Sequence, residues 1–233
     1  MTQKTTMLAC ESSIVTQGIV NNLLPVMLVI FKDDFGISYS LLANLLLLNF
    51  MVQLFTDWFS IKIVNKLGYR KSGILAQCSA ALGLIFMAVL TGVMPVYPAL
   101  LLSVIFTAFG GGMLEVMVSP IVENLTYGSS SARMSMLHSF YCWGAVGVIL
   151  GSTVFFSIFG VENWKILTFI WALVPLYNTF NFINCPIERL VEEGKSMGIR
   201  KLLKTPIFWL MILLMVCSGA SEATMTQWAS AFT

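Results

Sequence analysis

Charge is what this chain has least of. Only 10% of its 233 residues are Asp, Glu, Lys or Arg, where a soluble domain carries about 25%. A chain so poor in charge could not cover its own surface in water. The net charge of +2 is too small to imply a nucleic-acid partner. Histidine is reduced to one residue, His138. Cys10, Cys78, Cys142, Cys185 and Cys217 are scattered, with no CxxC pair and no metal-ligand spacing. That excludes a recognisable zinc site or disulfide framework and leaves them as small core residues. No phosphate loop, nucleophile triad or haem ligand set is present, so no enzyme, cofactor or metal is expected.

What the chain has instead is apolar length. Fully 58% of its residues are hydrophobic, and a bilayer core takes about 20 mostly apolar residues per helix. Six stretches meet that requirement, at about 7–31, 39–64, 73–94, 97–124, 134–159 and 164–184. A seventh follows Thr205-Pro206, where a capping residue precedes a proline at the first helical position, and runs to about residue 230. Backbone in lipid must satisfy its own hydrogen bonds, so each span is expected to be a helix. The fold class is all-α, a polytopic bundle. Its expected divisions are a six-helix bundle over 1–185, a loop over 186–205 and a further helix over 206–233. The first span is longer than a signal-peptide core and is interrupted by Asn21, Asn22 and Pro25, so no cleavable leader is expected.

Basic residues orient the spans. With the N-terminus in the cytoplasm, Lys4, Lys62, Lys66, Arg70, Lys71, Arg133, Arg189, Lys195, Arg200, Lys201 and Lys204 all lie inside. Only Lys32 and Lys165 lie outside. A seven-span chain would then end outside. The polar connection over 186–205 reads either as a helix on the membrane surface or as a solvated linker.

Between Lys71 and Glu115 there is no charged side chain. Glu115 breaks that run in the middle of an apolar span, where an ionisable group costs about 3 kcal/mol to insert. Two readings stand. It is an acid that loads and releases a proton, or a structural acid bonded to a neighbouring helix. Gln17, Asn21 and Pro25 share one stripe of the first span, with Asn22 beside it. These amides suit a hydroxylated or zwitterionic solute, or serve as interhelical glue. Asn49, Gln53 and Asp57 repeat the spacing on the second span, with Asp57 read as gating or packing. His138 is either a proton relay or a structural histidine. Tyr141 could stack on a ring or simply pack. Asn178 and Asn181 on the sixth span are further cavity candidates. The run Gly110, Gly111 and Gly112 reads as close helix contact.

The six spans, the basic loop after the second and the longer central loop resemble the N-terminal half of a major facilitator superfamily transporter. The loop Asn65-Lys-Leu-Gly-Tyr-Arg-Lys71 is similar to that superfamily's D-R-x-G-R-R/K motif: Gly68, Arg70 and Lys71 match. Asn65 replaces the acid and Ile61 the leading glycine, and Asp57 lies two turns before Asn65 as a substitute. The segment Gly110-Gly-Gly-Met-Leu-Glu115-Val-Met-Val-Ser-Pro120 resembles the G-x-G-x-L-E-x-x-x-N-P stretch of the fucose–proton symporter branch. In that branch the glutamate is implicated in proton coupling. A second membrane acid of the branch is replaced here by Asn21. The segment from His138 to Gly144 also resembles the branch, and Gly219-Ala-Ser-Glu222 resembles the start of a C-terminal half.

The resemblance implies a secondary active transporter in the plasma membrane. It implies proton-coupled uptake of a small polar solute, with a sugar as first candidate. Glu115 would couple the proton, and Gln17, Asn21, Asn22, His138, Tyr141, Asn178 and Glu222 would line the cavity. Asp57, Asn65, Gly68, Arg70 and Lys71 would form the gating loop. The expected partners are the solute, protons, lipid, and either a missing C-terminal half or a second copy. Two alternatives stay open: a truncated or accessory membrane protein without transport of its own, and a drug exporter of the same superfamily. The amide-rich first span speaks against the exporter.

Overall fold

The computed structural model describes residues 3–126, 128–185 and 203–232; for residues 222, 223 and 226–232 only the backbone is described. Among the described residues the regular structure is entirely helical. The elements are α1 (Gln3–Phe35), α2 (Tyr39–Leu67), α3 (Tyr69–Leu90), α4 (Val96–Glu123), α5 (Ser130–Phe159), a 3-10 turn (Val161–Asn163), α6 (Trp164–Asn184) and α7 (Pro206–Phe232). Among the described residues, six helices are long and apolar enough to cross a membrane; in α7 the apolar portion is shorter, Pro206–Ser221.

The helix boundaries follow local chemistry. Ser38 starts α2 by accepting the Leu41 N–H at 3.4 Å, and Ser129 starts α5 by accepting that of Ala132 at 3.2 Å. Such caps satisfy amide groups that have no partner within the helix. Gly68, at φ +81°, closes α2 by donating to the Val64 carbonyl at 2.7 Å and opens α3 at the next residue. A side chain would be strained at that φ. The helix therefore begins at Tyr69, four residues before the expected Gly73, and Arg70 and Lys71 sit in its first turn.

α1 is the central helix of the bundle, packed against α4, α5 and α6; α2 lies on α4, and α3 lies on α4 and α6. The core between them contains Cys10, Ile14, Met113, Met117, Leu137 and Phe182, all buried. The outside is as apolar as the inside. Trp58 is 75% exposed and Trp143 71%, with Phe55, Leu150, Leu173 and Phe180 also exposed. In water such a surface would aggregate, whereas lipid solvates it. This is the surface of an integral membrane protein.

The chain divides into two compact units, 1–190 and 191–233. In the second, α7 starts with the Phe208 N–H bonded to the Thr205 carbonyl at 3.1 Å. The Trp209 indole donates to the Leu203 carbonyl at 2.9 Å. Of the surface segment expected over 186–205, residues 186–202 lie outside the described residues.

Candidate functional site

The site is built on α4, and the three consecutive glycines decide where α4 can go. A Cβ on Gly110 would stand 2.7 Å from both the Ala76 carbonyl and the Ala80 nitrogen of α3. One on Gly111 would meet Val20 of α1 at 3.2 Å and the Gln53 Nε2 of α2 at 3.6 Å. One on Gly112 would meet Asp57 Oδ1 at 3.1 Å and the Gln53 Cα at 3.3 Å. Gly110 thus admits α3 to the backbone of α4, Gly111 admits Val20 of α1, and Gly112 admits α2.

Glu115 follows one turn later. It is exposed on the described bundle and accepts a hydrogen bond from Gln17 Nε2 of α1 at 2.8 Å. One turn along α1 from Gln17, Asn21 Oδ1 accepts from Gln53 Nε2 of α2 at 2.6 Å. One turn along α2 from Gln53 lies Asp57, half-buried, whose Oδ1 is fully enclosed and has no hydrogen-bond partner among the described residues. The Asp57 and Glu115 carboxyls interact electrostatically. Three helices therefore bring two acids and three amides to one face of an apolar bundle. Each amide carries both a donor and an acceptor, so the face can hold a polar solute beside a group able to carry a proton.

Over residues 12–233 the sequence matches the family model described as Major Facilitator Superfamily. The chain belongs to that superfamily. No curated protein matches it. Two solved structures of a glutamate-to-glutamine variant of the peptide transporter POT, one with sulfate and one with alafosfalin, are similar to it in fold. Their TM-scores are 0.64 and 0.58, at 13% and 15% identity, each over 97% of this chain. The chain spans 46% of the length of those transporters. At such identity the likeness is one of fold alone.

The superfamily's loop motif can now be placed. Asn65, Arg70 and Lys71 are exposed, on either side of the Gly68 turn. Asp57 leans on Gly112 of α4 and makes no ion pair among the described residues, so it is not paired with the basic residues of that loop.

The remaining candidates have other surroundings. Asn22 is buried and donates to the Gly18 carbonyl of its own helix at 2.8 Å. Asn178 is fully buried in a second polar network. It donates to the Ala9 carbonyl at 3.2 Å and to Ser13 Oγ at 3.0 Å, and its Oδ1 accepts from Asn181 at 3.2 Å. His138 is exposed on α5, with no hydrogen bond or ion pair among the described residues. Tyr141 is half-buried, its carbonyl 3.0 Å from where a Cβ on Gly18 of α1 would stand. The side chain of Glu222 lies outside the described residues.

Sequence reasoning missed three participants. Gln53 was visible only as part of a polar stripe, and it proves to be the α2 partner of Asn21. Gln77, the one polar amide of α3, donates to Ser13 Oγ at 3.2 Å and ties α3 into the second network. Arg133, read from sequence only as an inside charge, is buried and clamps the end of α4. Its Nε donates to the Val122 carbonyl at 3.1 Å, Nη2 to that of Glu123 at 3.1 Å and Nη1 to that of Gly128 at 3.0 Å. A cation there offsets the partial negative charge at a helix C-terminus.

Proposed function

We propose that this chain forms the proton-coupling half-bundle of a secondary active transporter, which takes up a small polar solute together with protons. The observation that carries the reading is Glu115: a carboxyl in an apolar span, exposed on the described bundle and held by Gln17 at 2.8 Å. Membrane acids that face a bundle interior or aqueous cavity mark ion and substrate pathways. The resemblance of the α4 segment to the fucose–proton symporter branch supports the same role and makes a sugar the first candidate solute. The two solved neighbours are peptide transporters by title, so a dipeptide is the second.

In this reading Gln17, Asn21 and Gln53 orient the solute and Glu115 carries the proton. A second six-helix half closes the polar face, and the two halves rock about it. The second half belongs either to the same polypeptide or to another copy. The charge bias of the loops supports a cytoplasmic N-terminus in the plasma membrane.

The test is uptake by the purified protein in liposomes under an inward proton gradient, with a panel of labelled sugars and dipeptides. Accumulation abolished by a protonophore is the expected result. Accumulation indifferent to the protonophore would contradict proton coupling. No uptake of any kind would favour a membrane partner without transport of its own.

A further inference from the structure

The second acid of the face, Asp57, has no assigned role beyond the loop it does not reach. It sits on α2, where that helix packs closely against Gly112 of α4. Gly112 permits the approach, since a Cβ there would be 3.1 Å from Asp57 Oδ1 and 3.2 Å from Thr56 Cβ. Oδ1 is shut away from solvent and accepts no hydrogen bond from any described residue. A carboxylate oxygen left in that state is costly, and a neutral carboxyl costs less because no charge is desolvated. One turn along α4 stands Glu115, whose charge reaches Asp57.

Among the described residues no cation forms an ion pair with Asp57. α1 brings Gln17 and Asn21, and α2 itself brings Gln53, all uncharged. The ionisable groups elsewhere on the packed elements include Glu11 on α1, Tyr69, Arg70 and Lys71 on α3, and Glu123 on α4. The acid that interacts with Asp57 is Glu115, one turn from Gly112 on α4. Two like charges this placed cannot both ionise freely.

We propose that Asp57 and Glu115 form a single proton site, in which one proton is held by the pair and the two carboxyls, on α2 and α4, titrate together. This deepens the reading of Glu115 as proton carrier and rests on it. Loading places one proton from water on one carboxyl oxygen, and the other carboxylate keeps its negative charge. Release breaks the same O–H bond and returns the proton to water, leaving two carboxylates that repel. That repulsion acts between α2 and α4, so the packing of those two helices senses whether the proton is bound.

The experiment is infrared difference spectroscopy on the whole chain in lipid nanodiscs. It follows the carbonyl band of protonated carboxyls as pH is stepped, with protons as the only ligand. Glu115→Gln should remove one step, which assigns Glu115. Asp57→Asn should then move the Glu115 step by about one pH unit or more, the threshold for coupled sites. Asp33→Asn, at the far end of α1, should leave it in place. Coupling is reciprocal, so Glu115→Gln should move the Asp57 step by the same amount. That arm serves even if Asp57→Asn does not fold, and Asp57→Glu should keep the two-step titration. A Glu115 step that stays put without Asp57 would overturn the pair while leaving Glu115 a proton carrier. If Glu115→Gln removes no step, the proton-carrier reading itself fails.

Discussion

Adding one methyl group at Gly110 should cost more than any other single methyl on α4. The Cβ of Gly110→Ala would lie 2.7 Å from the Ala76 carbonyl oxygen and the Ala80 nitrogen, and 2.9 Å from Ala80 Cβ. All three are backbone or stub atoms that no rotamer change can move aside. Ordinary contact begins at 3.4 Å, so α3 and α4 must part by about 0.7 Å along their shared face. Overpacking of this kind costs about 1–3 kcal/mol, against a gain of up to about 1 kcal/mol from alanine's helix propensity. Gly147→Ala on α5 is the matched control, because nothing lies within 4 Å of its Cβ. Reversible unfolding in mixed micelles of a mild and a denaturing detergent, followed by tryptophan fluorescence, gives both free energies. The gap between the two variants should be about 1–3 kcal/mol in favour of Gly147→Ala. Equal stabilities, within about 0.5 kcal/mol, would refute the idea that the glycine run sets the α3–α4 distance and, through it, the position of Glu115.

Two further outcomes follow from the same structure. In a cysteine-free background, Ser131→Cys should resist an impermeant thiol reagent in intact cells while Asp34→Cys is labelled; both residues are exposed, and the reverse pattern would invert the orientation. Arg133→Ala should destabilise the protein by about 1.5–3 kcal/mol, the range for hydrogen bonds to a charged group, and Arg133→Lys should not rescue it, because an ammonium lacks the planar fork that reaches three carbonyls. Full rescue by lysine in the same unfolding assay would show that charge alone matters.

The helices were legible because lipid imposes a simple rule: apolar length makes a span, and charge must stay at the ends. That is why α2, α4, α5 and α6 begin and end within a few residues of expectation. The departures have local causes. α3 starts early because Gly68 turns the chain in a single residue. α1 extends back to Gln3, whose side-chain carbonyl accepts the Thr126 N–H at 3.2 Å and so anchors the helix to the α4–α5 connection. The polar residues were harder to read, since spacing along one helix says which residues share a face but not what the face meets. Asn22 and Asn21 are neighbours in sequence, yet one bonds its own helix and the other reaches α2. Asn178 has the same chemistry as Gln17 and serves a buried network instead. Gly112 carries no side chain to advertise itself, although it is what brings Asp57 up against α4.

The central claim is that Glu115 couples a proton to solute movement, and replacing it with glutamine isolates that property. Glutamine keeps the shape and can still bond Gln17, but it cannot titrate. In the complete transporter in liposomes, Glu115→Gln should abolish accumulation driven by a proton gradient while sparing counterflow exchange of the same solute. A mutant that still accumulates solute against its gradient, with an unchanged pH profile, would show that Glu115 is structural and that the proton travels elsewhere.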